Sequence, residues 1–465
     1  MKKDHDIRKS FEKIKFPKVL VIGDLMLDQY SWGEVDRISP EAPIPVMKVI
    51  REEKRLGGAG NVAMNLINLG AKVLVCGIIG SDENGNFIQK LLSTNGIDIS
   101  GVIISEDFKT CLKHRMIAGQ NHLLRMDIDP EQDRDNFQKN IMLYLKKTIP
   151  KCDAVLVSDY GKGLLNNSTL ELISALGKSY SIPILGDPRR GADYKIYKNF
   201  TLVKPNRKET EEAVGFKLSN QEDILKAAKI LMKQARLKYI IISLDKDGLL
   251  LFSSPKKYKF FETESQEVFD VVGAGDAVVS ILSYMLAANS KIEHAVYWAQ
   301  LAASMVIKHI GVISFSKKDL LKRFDHGDTS SKIMNSEQVC SSLSEKLPVV
   351  FTNGYFDEIS SGHLKFLHSL KTLNGFNIVA INSDNSILKQ KGTPPLLNEL
   401  ERAILVAAIE SVDRVIIFNE KDASELIRKI RPETIVKGEH FRYKNLPEKK
   451  AIDEIGAKIK FFKTF

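Results

Sequence analysis

The run Asp270-Val-Val-Gly-Ala-Gly-Asp276, followed by the apolar stretch Ala277-Val-Val-Ser-Ile-Leu-Ser-Tyr284, is the most informative part of this chain. Its two glycines let the backbone turn tightly, and the apolar residues after them predict a helix. Free amides at the start of a helix can hold a negatively charged group. We therefore expect Asp276 to lie beside an acceptor hydroxyl and to take its proton during phosphoryl transfer. The alternative is a glycine-rich helix start with a capping aspartate.

The segments upstream of this run predict a doubly wound α/β domain. Short apolar runs are typical of buried parallel strands, and helical stretches separate most of them, as in alternating α/β folds. We predict a helix at Asn61–Leu69, which stops at Gly70. The predicted strands are Lys18–Gly23, Ala71–Ile79, Ala154–Ser158, Ile182–Gly186, Thr201–Val203 and Tyr239–Leu244.

Two segments interrupt this alternation. Gln29–Val49 contains three prolines among apolar residues, and Thr110–Asp129 has an extended pattern. Both are predicted to be strands of a small sheet that leaves the main body. Such a sheet is either a lid over a sugar site or an ordinary β excursion.

Three further polar motifs accompany the predicted strands. The run Leu56-Gly-Gly-Ala-Gly-Asn61 allows a ligand to approach the backbone, or is a simple turn before a helix. Asp24 and Asp28 follow the first strand, where ligands bind in open α/β sheets, although either carboxylate can instead cap a loop. Asn206 and Glu209 can orient Mg²⁺ and its waters, or form a helix cap with Glu at the third position.

These four motifs, in this order, resemble those of the ribokinase (PfkB) family over about residues 15–320. The resemblance implies an α/β body with a β lid, ATP and Mg²⁺ as cofactors, and phosphoryl transfer to a sugar hydroxyl. It makes Asp276 the base and gives Glu209 the role of binding Mg²⁺ through water, together with Asn206. Val271 and Val272 stand where the family often has threonines.

The same resemblance assigns the remaining positions of the first site. The anion hole is Gly273, Ala274 and Gly275; the nucleotide contacts are Asn206, Arg207, Lys208, Glu209, Asp245 and Gly248; the sugar contacts are Asp24, Asp28, Gly57, Gly58, Asn61 and Asp187.

Four more distinctive runs are similar to the heptose-7-phosphate kinase branch of that family: Arg37–Val46, Thr110–Arg115, Leu124–Asp127 and Asp159–Gly163. This branch phosphorylates the anomeric hydroxyl of D-glycero-β-D-manno-heptose 7-phosphate to give the 1,7-bisphosphate. A kinase for another sugar phosphate stays open, because lid chemistry sets specificity. A phosphorylated substrate requires cationic contacts, for which the candidates are Lys113, Arg115, Arg125, Arg189 and Arg190.

A second, smaller α/β unit is predicted after a polar segment. We place a kinase domain at 1–324, a linker at 325–342 and a Rossmann-like domain at 343–465. The predicted parallel strands of the last domain are Pro348–Thr352, Asn377–Asn382, Val415–Phe418 and Thr434–Val436.

The run Phe351–His363 resembles the nucleotidyltransferase signature T-x-G-x-F-D-x-x-H-x-G-H, and Asn382–Ser386 and Val436–Gly438 match later motifs of that family. The resemblance implies ATP binding at the helix start and transfer of AMP to a phosphate. In bacterial enzymes with this fusion, the domain adenylylates heptose 1-phosphate on the route to ADP-heptose for the lipopolysaccharide core. The implied nucleotide contacts are Phe356, His363, Lys437 and Gly438.

The second domain departs from the nucleotidyltransferase family pattern in three places. Ser360 replaces the first histidine and cannot supply a cation to the α-phosphate. The stretch Lys391–Leu396 lacks an expected arginine, and the chain ends at Phe465, where the family continues into a Ser/Thr-rich helix start. We therefore hypothesise a truncated domain of weak or no activity. The rival hypothesis is a binding or regulatory protein with a non-catalytic second domain.

Composition narrows the class of protein and its partners. The formal net charge of +10 suits anionic ligands such as nucleotides, although scattered lysines also give a simple basic surface. No basic stripe favours nucleic acid, and no long apolar run favours a membrane. Four distant cysteines without a C-x-x-C pair and a charged N-terminus predict a cytoplasmic protein without a zinc site. From the family resemblance we also expect a homodimer.

Overall fold

The computed structural model describes residues 2–119, 121–129, 135–261, 273–307, 314–326, 332–343, 348–443 and 445–463. Residues 270–272 of the run quoted first lie outside these ranges. The chain divides into two compact units, Met1–Phe324 and Asp325–Phe465. In the described part of the chain, no helix is long and apolar enough to cross a bilayer.

The strands of the first unit form two sheets. They are β1 (Lys18–Gly23), β2 (Leu25–Ile38), β3 (Pro45–Gly58), β4 (Lys72–Gly80), β5 (Asp98–Ser105), β6 (Cys111–Ala118), β7 (Asn121–Ile128), β8 (Ala154–Ser158), β9 (Ile184–Asp187), β10 (Leu202–Val203), β11 (Tyr239–Ser243), β12 (Leu249–Ser254) and β13 (Lys257–Phe261).

The helices of this unit cover the larger sheet. They are α1 (Lys2–Glu12), α2 (Ala59–Asn68), α3 (Glu83–Thr94), α4 (Asp135–Thr148), α5 (Asn167–Tyr180), α6 (Arg207–Val214), α7 (Gln221–Ala235), α8 (Ala274–Ala287), α9 (Ile292–Val306) and α10 (Lys317–His326). Short 3₁₀ turns occur at Ile149–Lys151, Tyr194–Tyr197 and Asp245–Asp247.

The larger sheet has the order β13-β12-β11-β10-β9-β8-β1-β4-β5 in the described chain. Pairing is parallel from β11 to β5 and antiparallel at β12 and β13. Alternate residues of β1 enter opposite layers, because Val19 and Val21 belong to one apolar cluster and Leu20 and Ile22 to the other. Both faces of the sheet are therefore buried, which confirms the predicted doubly wound α/β body.

The smaller sheet has the order β3-β2-β6-β7 and follows directly from the larger one, since only Asp24 separates β1 from β2. It contains both segments that interrupted the predicted alternation. Strands β2 and β6 pair in parallel, and the two outer pairings are antiparallel. The extended prediction for these segments is thus confirmed as a separate small sheet, which we call the lid.

The second unit has one parallel sheet. Its strands are β14 (Val349–Gly354), β15 (Phe376–Asn382), β16 (Arg414–Phe418), β17 (Thr434–Gly438) and β18 (Lys458–Phe462). Its helices are α11 (Ser336–Ser342), α12 (Ser361–Ser369), α13 (Asp384–Lys391), α14 (Glu399–Ala407), α15 (Ser424–Ile430) and α16 (Lys449–Ile455), with 3₁₀ turns at Leu370–Leu373 and Glu439–Phe441. The order β16-β15-β14-β17-β18 makes it Rossmann-like.

Two features of this unit go beyond the predicted elements. Strand β18 pairs with β17 but was not predicted, because its alternating lysines interrupt the apolar pattern. In the segment that we predicted as a linker, Ile333 bridges to Val415, and Val339 of α11 is buried in the apolar cluster of this sheet. The C-terminal part of that segment therefore packs as part of the second unit.

Candidate functional site

Asp276 lies in the first turn of α8, close to two donors that come from distant parts of the chain. Gly273, with φ of 82°, is the N-cap, and no side chain caps this helix start. The Asn61 amide donates to Asp276 Oδ2 at 2.5 Å, and the Tyr160 hydroxyl donates to Oδ1 at 2.9 Å. The carboxylate is thus held by side chains, and the capping alternative is not what the structure shows.

The electrostatic surroundings of Asp276 suit a base. Burial raises the pKa of Asp276 to about 6, and the nearby carboxylate of Asp187 adds to the rise. The donors Asn61 and Tyr160 and the ammonium of Lys204 oppose it. A carboxyl with this pKa is largely ionised at neutral pH yet is a stronger base than an exposed aspartate.

Lys204 is a functional candidate that our sequence analysis passed over. A Cβ atom placed on Gly275 would lie 3.1 Å from Lys204 Nζ, so the ammonium lies beside the glycine turn. It also contacts Asp187 Oδ1 at 3.0 Å. Burial by itself would lower the pKa of Lys204, but the carboxylates of Asp187, Glu209 and Asp276 raise it. The signal was present in the sequence, because Lys204 directly follows β10 at the ligand-binding edge.

Asn206 and Glu209 form a capping box at the start of α6. The Asn206 amide nitrogen donates to Glu209 Oε1 at 2.7 Å, and its backbone N–H donates to Oε2 at 2.8 Å. The helix-cap alternative is therefore observed. Burial raises the pKa of Glu209, Lys204 lowers it and Asp187 raises it further. The carboxylates of Asp187, Glu209 and Asp276 thus lie near a single ammonium, that of Lys204. Their negative charge exceeds its positive charge, which favours binding of a cation.

This donor set fits a hydrated Mg²⁺. In the described ranges, no group of three or more acidic, histidine or cysteine side chains is placed to hold a metal by itself. Mg²⁺ usually keeps several waters and uses one or two carboxylates together with substrate phosphates. Both carboxylate oxygens of Glu209 already accept hydrogen bonds from Asn206. A contact from Glu209 to Mg²⁺ through a water molecule therefore fits better than direct coordination.

Of the other predicted nucleotide contacts, Arg207, Asp245 and Gly248 meet at one turn. Arg207 contacts Asp245 at 3.3 Å and Asp247 at 2.6 Å, which joins α6 to the turn before β12. Gly248, with φ of 92°, completes that turn. Lys208 lies in the first turn of α6. Arg207 is therefore engaged in joining these two segments.

Asp24 and Asp28 have structural partners at the start of the lid. Asp24 Oδ2 accepts the backbone N–H groups of Tyr160 and Lys162, each at 3.1 Å, so the loop-capping alternative is observed for Asp24. Asp28 Oδ1 accepts from Arg115 at 2.6 Å, and both side chains are about nine-tenths buried. A Cβ atom at position 57 would lie 2.5 Å from Asp28 Oδ2, which explains the glycine there.

The candidate cations are divided between the site and the surface. Lys113 Nζ lies 5.1 Å from the ring centroid of Tyr160 and is thus near the base. Arg189 contacts the buried Asp159 at 3.5 Å. Arg125 and Arg190 are mostly exposed and pair with Asp127 and Glu212, respectively. Lys113, Arg115 and Arg125 share one face of the lid sheet, because Arg125 pairs with Arg115 across β6 and β7, whereas Arg190 lies on the surface outside the lid.

A cavity of about 680 Å³ lies at the carboxyl ends of the strands in the second unit. It includes the crevice between β14 and β17, where the strand order reverses and where such sheets bind ligands. All four predicted nucleotide contacts of this domain line it, namely Phe356, His363, Lys437 and Gly438.

Ser360 is the N-cap of α12, the helix whose first turn brings His363 to this cavity. Its hydroxyl accepts from the backbone of His363, and its own backbone N–H donates to His363 Nδ1 at 3.2 Å. On the cavity floor, Lys437 donates to Asn353 at 2.7 Å and to Glu448 at 3.1 Å. Burial lowers the pKa of Lys437, and Glu448 opposes that shift. Asn353 and Glu448 are residues of this site that the motifs did not reveal.

A different cleft, of about 670 Å³, lies at the amino ends of β9 and β11 in the first unit. None of the predicted site residues lines it, and it is remote from Asp276 along the strands. The predicted site residues of the first unit therefore lie away from this cleft.

Each of the two units matches a known family. Residues 17–319 match the model of the pfkB family carbohydrate kinases, which spans most of the chain. The chain belongs to the pfkB family of carbohydrate kinases. Residues 351–463 match the cytidylyltransferase-like family, so this pfkB kinase is fused to a nucleotidyltransferase fold.

Curated relatives have the same fusion over nearly their whole length. The chain is 40% identical over 436 residues to the bifunctional protein HldE of Campylobacter curvus, which covers 92% of each chain. It is 37% identical over 452 residues to the bifunctional protein HldE of Helicobacter hepaticus, covering 95% of this chain and 93% of the relative. This pfkB kinase is thus a sugar kinase with a second, nucleotidyltransferase-like domain.

Solved structures support the fold of the pfkB unit. Arabidopsis thaliana ribokinase complexed with ribose and ATP matches 66% of this chain and 99% of its own, with a TM-score of 0.55 and 18% identity. Escherichia coli phosphofructokinase-2 with substrates and products matches 67% and 98%, with a TM-score of 0.55 and 21% identity. These likenesses show a ribokinase-like fold.

Proposed function

We propose that the first unit transfers the γ-phosphoryl group of ATP to O1 of D-glycero-β-D-manno-heptose 7-phosphate and gives the 1,7-bisphosphate. The observation that carries this proposal is the buried Asp276 carboxylate, with a pKa of about 6, beside the glycine turn and the Lys204 ammonium. The choice of sugar rests on the heptose-kinase runs described above and on the family of the curated relatives. Another sugar phosphate is the second candidate.

In this reaction Asp276 takes the proton of the sugar hydroxyl as its oxygen attacks the γ-phosphorus. The new O–P bond forms while the bond from phosphorus to the ADP oxygen breaks. Charge on the moving phosphoryl group faces the amides of residues 273–275 and the Lys204 ammonium. A bound Mg²⁺, held through water by Glu209, would neutralise charge on the ATP phosphates.

The phosphate at the far end of the sugar requires a cation. Lys113 is the best candidate, because its ammonium lies by the Tyr160 ring, and this cation–π contact leaves its charge available to an anion. Arg115 is already paired with Asp28, so its role is more structural.

Substitution of the base tests the kinase. Asp276→Asn keeps the shape and the Asn61 and Tyr160 neighbours but removes the proton acceptor. We expect kcat to fall about 10²–10⁴-fold, measured as ADP release with heptose 7-phosphate and a panel of other phosphorylated sugars. Asp98→Asn, at the exposed amino end of β5, is the matched control. Full activity of Asp276→Asn would exclude Asp276 as the base, and a preferred sugar other than the heptose would replace the proposed substrate.

For the second unit we propose adenylyl transfer from ATP to heptose 1-phosphate, giving ADP-heptose at a reduced rate. The cavity retains His363 and Lys437, while Ser360 supplies a helix cap in place of a cation. Incubation with heptose 1-phosphate, ATP and Mg²⁺ should release pyrophosphate slowly. A family-typical rate would contradict the reduction, and ATP binding without turnover would favour a non-catalytic binding domain.

We also propose that the protein acts as a cytoplasmic homodimer through its lid. The support is the family resemblance together with the apolar residues on the outer lid strands. Leu124 and Met126 of β7, and Ile50 of β3, are largely exposed in the single chain. An edge strand with exposed apolar residues is a common site of pairing between chains.

A further inference from the structure

Tyr160 is a part of the kinase site that the mechanism above does not use. It lies in the loop after β8, and its hydroxyl donates to Asp276 Oδ1 at 2.9 Å. Its backbone N–H donates to Asp24 Oδ2 at 3.1 Å, and the backbone N–H of Lys162 donates to the same oxygen. Both ends of the tyrosine are therefore fixed, one by a buried carboxylate and the other by the proposed base.

We propose that Tyr160 is a positioning residue which holds Asp276 in its ionised form, aimed for the sugar hydroxyl. This inference rests on the proposed role of Asp276 as base. Asp24 contributes by holding the loop that carries the phenol, so its effect on catalysis is indirect.

The charges around the pair explain why such a donor is needed. Burial and the charge of Asp187 favour protonated Asp276, whereas Lys204, Asn61 and Tyr160 favour the carboxylate. Without the phenol, the balance moves toward the protonated acid, which cannot accept the sugar proton.

The phenol is suited to remain a donor at every working pH. Burial, followed by the charges of Asp276 and Asp187, raises its pKa well above the ordinary value, and Asp28 adds to this. The Lys113 ammonium faces the ring from the lid at 5.1 Å from the centroid. Each oxygen of Asp276 has two lone-pair directions, so the tyrosine leaves one free on Oδ1 for the sugar hydroxyl.

The pH profile of the full-length enzyme separates this role from a purely structural one. For the unaltered protein, kcat/KM for the sugar phosphate should fall as the pH drops below about 6, because Asp276 must be ionised. In Tyr160→Phe the acidic limb of the kcat/KM profile should move up by about one pH unit, because the Asp276 carboxylate loses a hydrogen bond that stabilises it. At pH values below this limb, kcat/KM should be about tenfold lower than in the unaltered protein. At alkaline pH the activity should approach that of the unaltered enzyme.

A second variant shifts the same limb in the opposite direction. Ring-fluorinated tyrosine at position 160 keeps the hydroxyl but makes it a stronger donor, so the limb should move to lower pH. Tyr194→Phe is the matched control, because the Tyr194 hydroxyl is buried without a hydrogen-bond partner in the described chain. Its profile should be unchanged.

The outcomes distinguish the inference from the proposed function. If Asp276→Asn is inactive but the limb stays in place in Tyr160→Phe and the fluorinated protein, the role of Tyr160 is wrong and the base stands. An equal loss at all pH values would also overturn it and leave a structural role. If Asp276→Asn is active, the base itself is wrong.

Discussion

The acidic residues of the kinase site have different roles, although the sequence presents them as one residue type. Asp24 holds a loop through two backbone amides, and Asp28 neutralises Arg115. Asp187 pairs with Lys204 and raises the pKa of Asp276. At the scale of single residues, function therefore depends on which partner each carboxylate meets.

Ser360 gives a prediction at the same scale. Ser360→His restores an imidazole at the cavity of the second unit, where charge builds on the α-phosphate. We expect pyrophosphate release with heptose 1-phosphate and ATP to rise about 10²–10³-fold, the usual value of one stabilising group. Loss of the N-cap should lower the free energy of unfolding by about 1 kcal/mol, measured by denaturant titration.

Ser360→Ala is its matched control. It removes the same cap without adding an imidazole, so it should lose the same stability and gain no activity. If both variants turn over at the same rate, the serine is not what limits this domain.

At the scale of elements, the lid carries predicted sugar contacts and exposes apolar residues on its outer strands. The Asp28–Arg115 pair lies between β2 and β6, while every residue of β7 from Asn121 to Asp127 is exposed. Exposed apolar groups on an edge strand favour pairing with another chain. We therefore expect one surface of the lid to bind ligand and the other to bind a second copy of the chain.

The double variant Leu124→Asp, Met126→Asp tests the outer surface. Two charges per chain would be brought into the proposed interface without water or a cation to offset them. We expect the mass measured by sedimentation velocity to change from dimer to monomer. Leu143→Asp, an exposed leucine of α4 outside the lid, is the control and should remain a dimer. An unchanged mass for both variants would place any interface elsewhere.

At the scale of the whole molecule, the chain contains two independently built units. Each described apolar cluster consists of residues from one unit, with two clusters flanking the nine-stranded sheet and two flanking the five-stranded sheet. A unit with its own core is expected to fold without the other. The two chemistries are therefore separable in principle.

Separate expression of residues 1–326 and 332–465 tests this. Each piece should unfold in a single cooperative transition by circular dichroism, and ATP with the heptose phosphate should raise the Tm of the first piece. The full-length chain serves as the reference. A first piece without cooperative unfolding would show that its core depends on the second unit.

Most of the fold could be predicted because its causes are local. The buried strands β1, β8 and β15 are continuous apolar runs, and Gly273 marks the start of α8. Strand β18 was missed because its lysines gave no such run. The local hydrophobic pattern predicts the type of a buried element, whereas an exposed edge strand has too few apolar residues to give a recognisable pattern.

The sequence by itself determined the two α/β units, the order of their motifs and the identity of Asp276 as the candidate base. Only the tertiary structure decided which groups meet that base. Asn61 and Tyr160 are 215 and 116 residues away from Asp276 along the chain. Sheet order brings them to one edge, and burial there raises the pKa of Asp276. Both effects depend on distances through space, which residue spacing along the chain does not encode.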